Sequence, residues 1–318
     1  MFWESFKAAS IAVAQIFFLG LIGYFLIRRK FLDQGGLKAL SRLVIEITLP
    51  VLIFYRLMNK FSFSLYPNWW AFPLISLIVT LAGLVVGFIF SGFINGRQRK
   101  LQFLNLTGFQ NSGYLPLVLV VSLVSPEDLD TIFIYIFLFL LGFNLVIWSL
   151  GAHLLSVGEH KKFELGSLFT PTVIANLLSL LIIFFGLNKF LPQALFKPLK
   201  LVGECTFPLA MFVVGGNLAL INLGKIDKKA MILLVLAKLI VLPLLGLVLV
   251  LKLKMPQLMG LLILIQLAMP PATSLSLIIR HYKKEDLLIS QGIFFGHLIS
   301  LITIPLFLSL YFTLSAIE

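Results

Sequence analysis

The chain has 318 residues, of which 60% are hydrophobic and 12% are charged, and its mean hydropathy is +1.06. An ordinary globular domain carries about 25% charged residues, so this composition excludes a soluble fold. The formal net charge of +12 comes from basic residues clustered at the ends of apolar segments, which membrane topology explains better than a nucleic-acid partner does.

Apolar stretches of about 20 residues, the length needed to cross a bilayer, recur along the whole chain. They predict ten transmembrane helices, at residues 8–27, 37–58, 71–94, 101–123, 131–154, 170–189, 198–222, 229–251, 257–280 and 287–312. The first stretch has no cleavage site and ends in a basic cluster at residues 28–30, so it is interpreted as a helix and not as a signal peptide. All of residues 1–318 are therefore assigned to a single membrane domain.

The distribution of basic residues predicts the topology. The loops after odd-numbered predicted helices hold Arg28, Arg29, Lys30, Lys38, Arg97, Arg99, Lys100, Lys161, Lys162, Lys225, Lys228, Lys229, Arg280, Lys283 and Lys284. The other side holds the smaller set Lys7, Arg56, Lys60, Lys189, Lys197, Lys200, Lys252 and Lys254, with the acidic residues Glu127, Asp128 and Asp130. The positive-inside rule then places the odd loops in the cytoplasm and both termini outside.

An internal repeat is visible in predicted helices 2 and 7. At one constant offset, the matching pairs are Leu43/Leu201, Val44/Val202, Glu46/Glu204, Thr48/Thr206, Pro50/Pro208 and Phe54/Phe212. Matches of Glu, Thr and Pro are informative in so apolar a chain. They divide it into repeat one at 1–155 and repeat two at 165–318, and the odd number of helices in each half requires opposite orientations, as in many secondary transporters.

Predicted helices 4 and 9, which the repeat pairs, both carry polar residues and proline at mid-depth. Asn111 is aligned with Gln266, and Pro116 with Pro271. Because proline removes a backbone donor and lipid cannot satisfy the freed groups, both helices are predicted to break where they line a cavity. Half-helices that begin after the breaks would direct partial positive charge at an anion.

The chain resembles the auxin efflux carrier family of membrane transporters, including its short bacterial members. The residues that carry the resemblance are 111–114 (Asn-Ser-Gly-Tyr), 215–218 (Gly-Gly-Asn-Leu), 238–243, 268–272 (Ala-Met-Pro-Pro-Ala) and 302–305. The departure is Leu115, where family members commonly have Gly before the helix 4 proline. The short loop after predicted helix 5 is similar to the bacterial type, which implies a multi-pass protein of the bacterial inner membrane.

The resemblance implies an all-α fold like that of bile acid–sodium symporters. Helices 1, 2, 6 and 7 would form a scaffold, and helices 3–5 and 8–10 a transport domain in which the broken helices 4 and 9 cross. The implied function is elevator-type secondary transport of a small organic anion, auxin-like or similar to malate or malonate. The substrate-binding residues would be Asn111, Ser112, Tyr114, Pro116, Gln266, Met269, Pro270 and Pro271.

Four ionisable residues fall inside predicted helices, where their burial is costly, and are candidates for coupling or counter-charge. Glu46 and Glu204 hold equivalent places in the repeats, and a structural role is favoured over titration. Lys238 suits a tether to backbone carbonyls as well as it suits a substrate counter-charge or a stand-in for a coupling cation. His297 is interpreted more readily as a packing residue than as a proton carrier.

Other classes of function are weighed against transport. No enzyme motif is present, and Cys205 is the single cysteine, so no cofactor and no metal site are expected. An anion-permeable channel is the main alternative, since polar broken helices also line pores, and a non-transporting receptor is the second. The identity of the anion, proton or sodium coupling and assembly into a homodimer stay open at this point.

Overall fold

The computed structural model describes residues 2–157, 165–221, 223–281 and 287–315, and the side chains of Leu165, Arg280 and His281 are not described. Lys161, Lys162, Lys283 and Lys284, which the topology argument uses, and both chain ends lie outside these ranges. The described residues form helices and connections without a β-strand, apart from one isolated bridge between Gln110 and Pro271.

The α-helices of the first half are α1 (Phe2–Arg28), α2 (Gln34–Leu43), α3 (Leu49–Lys60), α4 (Ala71–Ser91), α5 (Arg97–Gly108), α6 (Tyr114–Leu123), α7 (Pro126–Val146) and α8 (Ala152–Ser156). Short π-helical segments at Val44–Thr48 and Ile147–Gly151 join α2 to α3 and α7 to α8. Pro50 follows the first of these segments, and its missing N–H group and bulky ring explain the widened turn.

The α-helices of the second half are α9 (Pro171–Phe184), α10 (Phe196–Glu204), α11 (Thr206–Ala219), α12 (Lys228–Leu234), α13 (Leu242–Lys252), α14 (Gln257–Ala268), α15 (Ser274–His281) and α16 (Leu287–Ser315). A π-helical segment at Val235–Val241 joins α12 to α13, and short 3-10 segments lie at Leu165–Leu168, Leu187–Phe190 and Gln193–Leu195. The side chains of Thr170 and Asp227 cap α9 and α12 by accepting from Val173 N and Ala230 N.

Each predicted helix coincides with one observed helix or with consecutive helices. Within the described ranges, six helical runs are long and apolar enough to cross a membrane: Phe2–Arg28, Ala71–Ser91, Pro126–Ser156, Gln193–Ala219, Lys228–Lys252 and Leu287–Ser315. Tyr114–Leu123, Pro171–Phe184 and Gln257–Ala268 are shorter apolar helices. Such lengths fit a multi-pass membrane protein.

The helices pack in two groups, which contact each other along one boundary. In one group α1 packs on α11, and α3 packs on α9 and α10. In the other, α4 packs on α5 and α7, while α13 and α16 pack on α14. The groups meet where α16 and α6 contact α1 and where α7 contacts α3 and α9. The broken helices therefore lie beside this boundary.

Candidate functional site

The two interrupted helices cross at their breaks. One break occupies residues 109–113, between α5 and α6, and the other residues 269–273, between α14 and α15. Asn111 N donates to Pro270 O at 2.8 Å, and Ala272 N donates to Phe109 O at 2.9 Å. The breaks therefore satisfy part of each other's freed backbone groups, which lipid could not do.

The structure changes the sequence-based pairing of Asn111 with Gln266 and of Pro116 with Pro271. The helices before the two breaks end at Gly108 and at Ala268, and Gln110 forms a backbone bridge with Pro271 where the breaks cross. Gln266 therefore lies inside α14 and is not the counterpart of Asn111. Pro116 was expected to make the first break, but it lies in the first turn of α6, where a missing N–H group is tolerated.

Asn111 is held by a histidine from the last helix. Asn111 is 5% exposed, and its Nδ2 lies 3.5 Å from Nε2 of the fully buried His297. The other ring nitrogen, Nδ1, lies 2.8 Å from Ile293 O, which can only accept, so Nδ1 carries the proton and Nε2 accepts from Asn111. Close approach is possible because Gly296 of α16 faces Pro271 without a side chain between them. His297 thus positions the first break.

Gln266 is also engaged in holding the crossing. Its Nε2 donates to Ser112 O at 3.1 Å, and the side chain is fully buried. This bond runs from the last turn of α14 to the opposite break, so Gln266 ties the two broken helices together.

A cavity of about 350 Å³ lies against the crossing. From the breaks and the half-helices that follow, it is lined by Gln110, Asn111, Ser112, Gly113, Tyr114, Ala272, Thr273 and Ser274. Its other walls are Ile45, Glu46, Leu49, Leu140, Phe143, Asn144, Ile147, Trp148, Thr170, Pro171 and Thr172. The cavity is therefore polar where the breaks meet and mostly apolar where α7 and α3 face them. Its size is at the lower end of small-molecule sites, which run about 300–1,000 Å³.

Of the residues predicted to bind substrate, some line the cavity and others do not. Asn111, Ser112 and Tyr114 border the cavity, whereas the lining does not include Pro116, Gln266, Met269, Pro270 or Pro271. Met269 is fully buried, and its place in the second break is structural packing.

The polar or aromatic lining residues that sequence reasoning missed are Gln110, Phe143, Asn144, Trp148, Thr170, Thr172, Thr273 and Ser274. Gln110 is adjacent to the predicted Asn111 and could have been chosen from the polar run alone. Asn144 and Trp148 lie one helical turn apart in α7 and its π segment, and an Asn within an apolar span was the available signal. Thr172 gave no signal, because it lies at the start of α9 like many capping residues.

Lys238 lies in the π segment at Val235–Val241 and is 1% exposed. This segment packs against α4, α5, α14 and α16. Among the described residues, the Lys238 ammonium has no hydrogen-bond or ion-pair partner. Lys238 does not line the cavity, so direct contact with a ligand there is not part of this geometry.

Glu46 and Glu204 are not buried as the sequence suggested. Their side chains are 46% and 37% exposed, and each forms an ion pair with the basic residue four positions before it, Arg42 at 2.9 Å and Lys200 at 3.8 Å. Glu46 borders the cavity, whereas Glu204 also lies 3.8 Å from Arg56.

A charged cluster joins the two helix groups at the end of α3 that lies away from Glu46. Arg56 forms an ion pair with Asp130 of α7, lies 4.8 Å from the Phe133 ring centre, and has a side chain only 14% exposed. Lys60 bonds the same carboxylate at 2.9 Å from an exposed position. The cluster therefore fastens α3 to α7 opposite the cavity.

We expect Asp130→Asn to destabilise the protein by about 1.5–3 kcal/mol, the scale of a hydrogen bond to a charged group, because Arg56 then keeps only the longer 3.8 Å contact with Glu204. Lys60→Met is the control, since its exposed pair contributes about 0–1 kcal/mol. Thermal unfolding of the purified variants in detergent measures both. Equal effects of the two substitutions would show that Arg56 does not depend on Asp130.

Comparison with known proteins places the chain in a family. The model of the family described as "Membrane transport protein" matches residues 8–164 and 159–308. The Protein PIN-LIKES 6 of Arabidopsis thaliana is 28% identical over 120 residues, which are 37% of this chain and 28% of that protein. An uncharacterized transporter of Schizosaccharomyces pombe is 26% identical over 125 residues, 39% of this chain and 27% of that protein. The matches thus span under a third of these two relatives.

Proposed function

Because this chain belongs to the membrane transport protein family of the auxin efflux carriers, we propose that it is a secondary transporter of small organic anions. The proposed substrates are carboxylates, auxin-like or of the size of malate and malonate, and the proposed mechanism is elevator-type alternating access. The proposed location is a bacterial inner membrane, with both termini outside.

One observation carries the anion assignment: two helices begin at the cavity. α6 begins at Tyr114 and α15 at Ser274, and both residues border the cavity. Gly113 precedes α6 without a side-chain cap, so the N–H groups of Tyr114 and Leu115 are available, whereas Pro116 has none. A helix N-terminus carries roughly half a positive charge, and two of them favour a carboxylate. The charged residue of the lining, Glu46, is paired with Arg42.

The contacts support two inverted repeats of five helices. Under that pairing, α1 on α11 corresponds to α9 on α3, and α5 beside α16 corresponds to α14 beside α7, and all four contacts occur. The ion pairs of Glu46 and Glu204 with the residues four positions earlier are also equivalent. Both repeat threonines, Thr48 and Thr206, are buried.

The position of the cavity supports alternating access. Its polar wall belongs to the broken helices, and its opposite wall includes Ile45, Leu49 and Thr172 of the proposed scaffold. Movement of the broken helices past the scaffold would carry a ligand at the breaks from one side to the other. The cavity extends toward Glu46 and Thr170, near the loops that the positive-inside rule places in the cytoplasm.

Substitution of Asn111 tests the site. We expect Asn111→Ala to weaken carboxylate binding on the order of tenfold, because a hydrogen bond to a charged group contributes about 1.5–3 kcal/mol. The measurement is ligand-induced thermal stabilisation with malonate, malate and indole-3-acetate, and Asn59→Ala, at an exposed position of α3, is the control. Wild-type affinity in Asn111→Ala would place the site elsewhere.

The sign of the substrate is tested on the unsubstituted protein. The neutral amide of a binding carboxylate should bind poorly, because it cannot use the two helix N-termini. Equal affinity for acid and amide, at a pH where the acid is ionised, would refute the anion assignment. Counterflow in proteoliposomes would support a carrier, whereas conductance without saturation would support a channel.

A further inference from the structure

Building on the proposed function, we infer that Gln110 is a specificity-determining residue of this site, which pairs with an uncharged polar group of the substrate beside its carboxylate. Gln266, which the sequence places in the binding role, is a positioning residue of the crossing.

The state of the Gln110 amide carries this inference. Gln110 is 0% exposed, and neither its Nε2 nor its Oε1 has a hydrogen-bond partner among the described residues. A buried amide without partners is costly, and native proteins rarely keep one without a reason. Gln110 also borders the 350 Å³ cavity, within the break that the proposed substrate contacts.

The backbone of Gln110 is fixed, whereas its side chain is not. Its neighbours Phe109 and Asn111 are bonded to the opposite break on both sides of the bridge with Pro271. The amide is covered in this conformation, so a rotation of the side chain toward the cavity is the step that presents it to a ligand. That rotation breaks no hydrogen bond between the amide and the part of the chain that the structure describes.

Gln266 is as fully buried as Gln110 but is bonded differently. Its Nε2 is used in the 3.1 Å bond to Ser112 O, and it does not border the cavity. Removing its amide therefore breaks a bond between the two broken helices, whereas removing the Gln110 amide breaks none.

The chemistry of the amide defines the group that it selects. A glutamine offers an acceptor oxygen and a donor NH₂, so its best partner carries both functions, as a hydroxyl does. The carboxylate occupies the helix N-termini, and Gln110 adds selection for a hydroxyl next to it. A site built to bond a hydroxyl rejects the analogue that lacks it, since its own polar groups then stay unpaired. The proposal predicts preference for hydroxy acids.

The test uses matched probes and matched variants. Lactate and propionate differ by one hydroxyl, and lactamide and propionamide are their neutral counterparts. Ligand-induced and ligand-free melting temperatures are measured for the wild type, Gln110→Leu and Gln266→Leu. We expect the wild type to bind lactate more tightly than propionate on the order of tenfold, because propionate forms no hydrogen bond with Gln110 and leaves its amide unpaired. Gln110→Leu should lose that preference.

The ligand-free measurement separates binding from structure. Gln110→Leu should melt at the wild-type temperature or above, because it removes an unpaired buried amide, whereas Gln266→Leu should melt lower. A lower melting temperature for Gln110→Leu, or an unchanged lactate preference in that variant, would overturn the inference. Preference for lactamide over propionamide without a preference for lactate over propionate would refute the anion assignment and support the role of Gln110 in hydroxyl selection. If neither lactate nor lactamide binds the wild type, the inference is overturned.

Discussion

Lys238→Met is expected to abolish carboxylate transport into proteoliposomes while leaving the ligand-free melting temperature unchanged or raised. Lys238 is buried without a hydrogen-bond or ion-pair partner among the described residues. A charge inside a membrane segment costs about 2.5–3.5 kcal/mol on insertion scales, so methionine of similar length should not destabilise the fold.

The expected loss of transport follows from the neighbours of Lys238. Its π segment packs against α5 and α14, and both of these helices end at the crossing. Helix C-termini carry partial negative charge, which a nearby ammonium offsets. The expected loss rests on the Lys238 ammonium offsetting these two negative ends beside the proposed anion, since methionine removes that charge. The substrate would therefore bind less well, or the transport domain with bound substrate would not move.

Lys229→Met is the matched control, because Lys229 is exposed in α12 of the same helical run. It should transport like the wild type. Unchanged transport in Lys238→Met would remove this lysine from the mechanism. Loss of folded protein would instead support the tether role, in which the ammonium holds backbone carbonyls.

The helices were predictable from the sequence because their signal is local. A run of apolar residues long enough to cross a bilayer marks a helix whatever its neighbours are, and predicted helix 3 at 71–94 became α4 at Ala71–Ser91. The breaks were predictable in kind for the same reason. Proline and polar residues in mid-span cannot be satisfied by lipid.

The register of the breaks was not predictable, because it depends on contacts between distant segments. Alignment by residue type paired Pro116 with Pro271, yet Pro271 lies within the second break, whereas Pro116 lies inside α6, after the first break. A proline is tolerated in the first turn of a helix, so Pro116 did not have to mark the break. The roles of Gln266 and His297 were hidden likewise, since their partners, Ser112 and Asn111, lie in the first break, far away in the sequence.

Glu46 shows a further limit of the sequence. Position within an apolar run suggested burial, but the fold leaves the carboxylate exposed next to Arg42. Burial of a helical residue depends on which face its neighbours cover, and that requires the tertiary structure. The same holds for Trp148, whose place in the cavity wall depends on the packing of α7 against the breaks.

Gly215→Ala is expected to lower the yield and the melting temperature of folded protein more than any other single methyl group added to the proposed scaffold. A Cβ atom at Gly215 would overlap the carbonyl oxygen of Gly20, and one at Gly23 would overlap the backbone of Phe212. These glycines let α1 and α11 approach at backbone distance, as small residues do between membrane helices. The obstacle is main chain, so no side-chain rotation relieves it.

The size of the effect follows from overpacking, which costs about 1–3 kcal/mol and occasionally more where the neighbour cannot move. Gly166→Ala is the control, because a Cβ atom there meets no atom within 4 Å and should leave the melting temperature unchanged. Thermal unfolding and size-exclusion profiles in detergent measure both variants. Equal melting temperatures would show that α1 and α11 separate easily, and the pair could then not serve as the rigid part against which α16 slides.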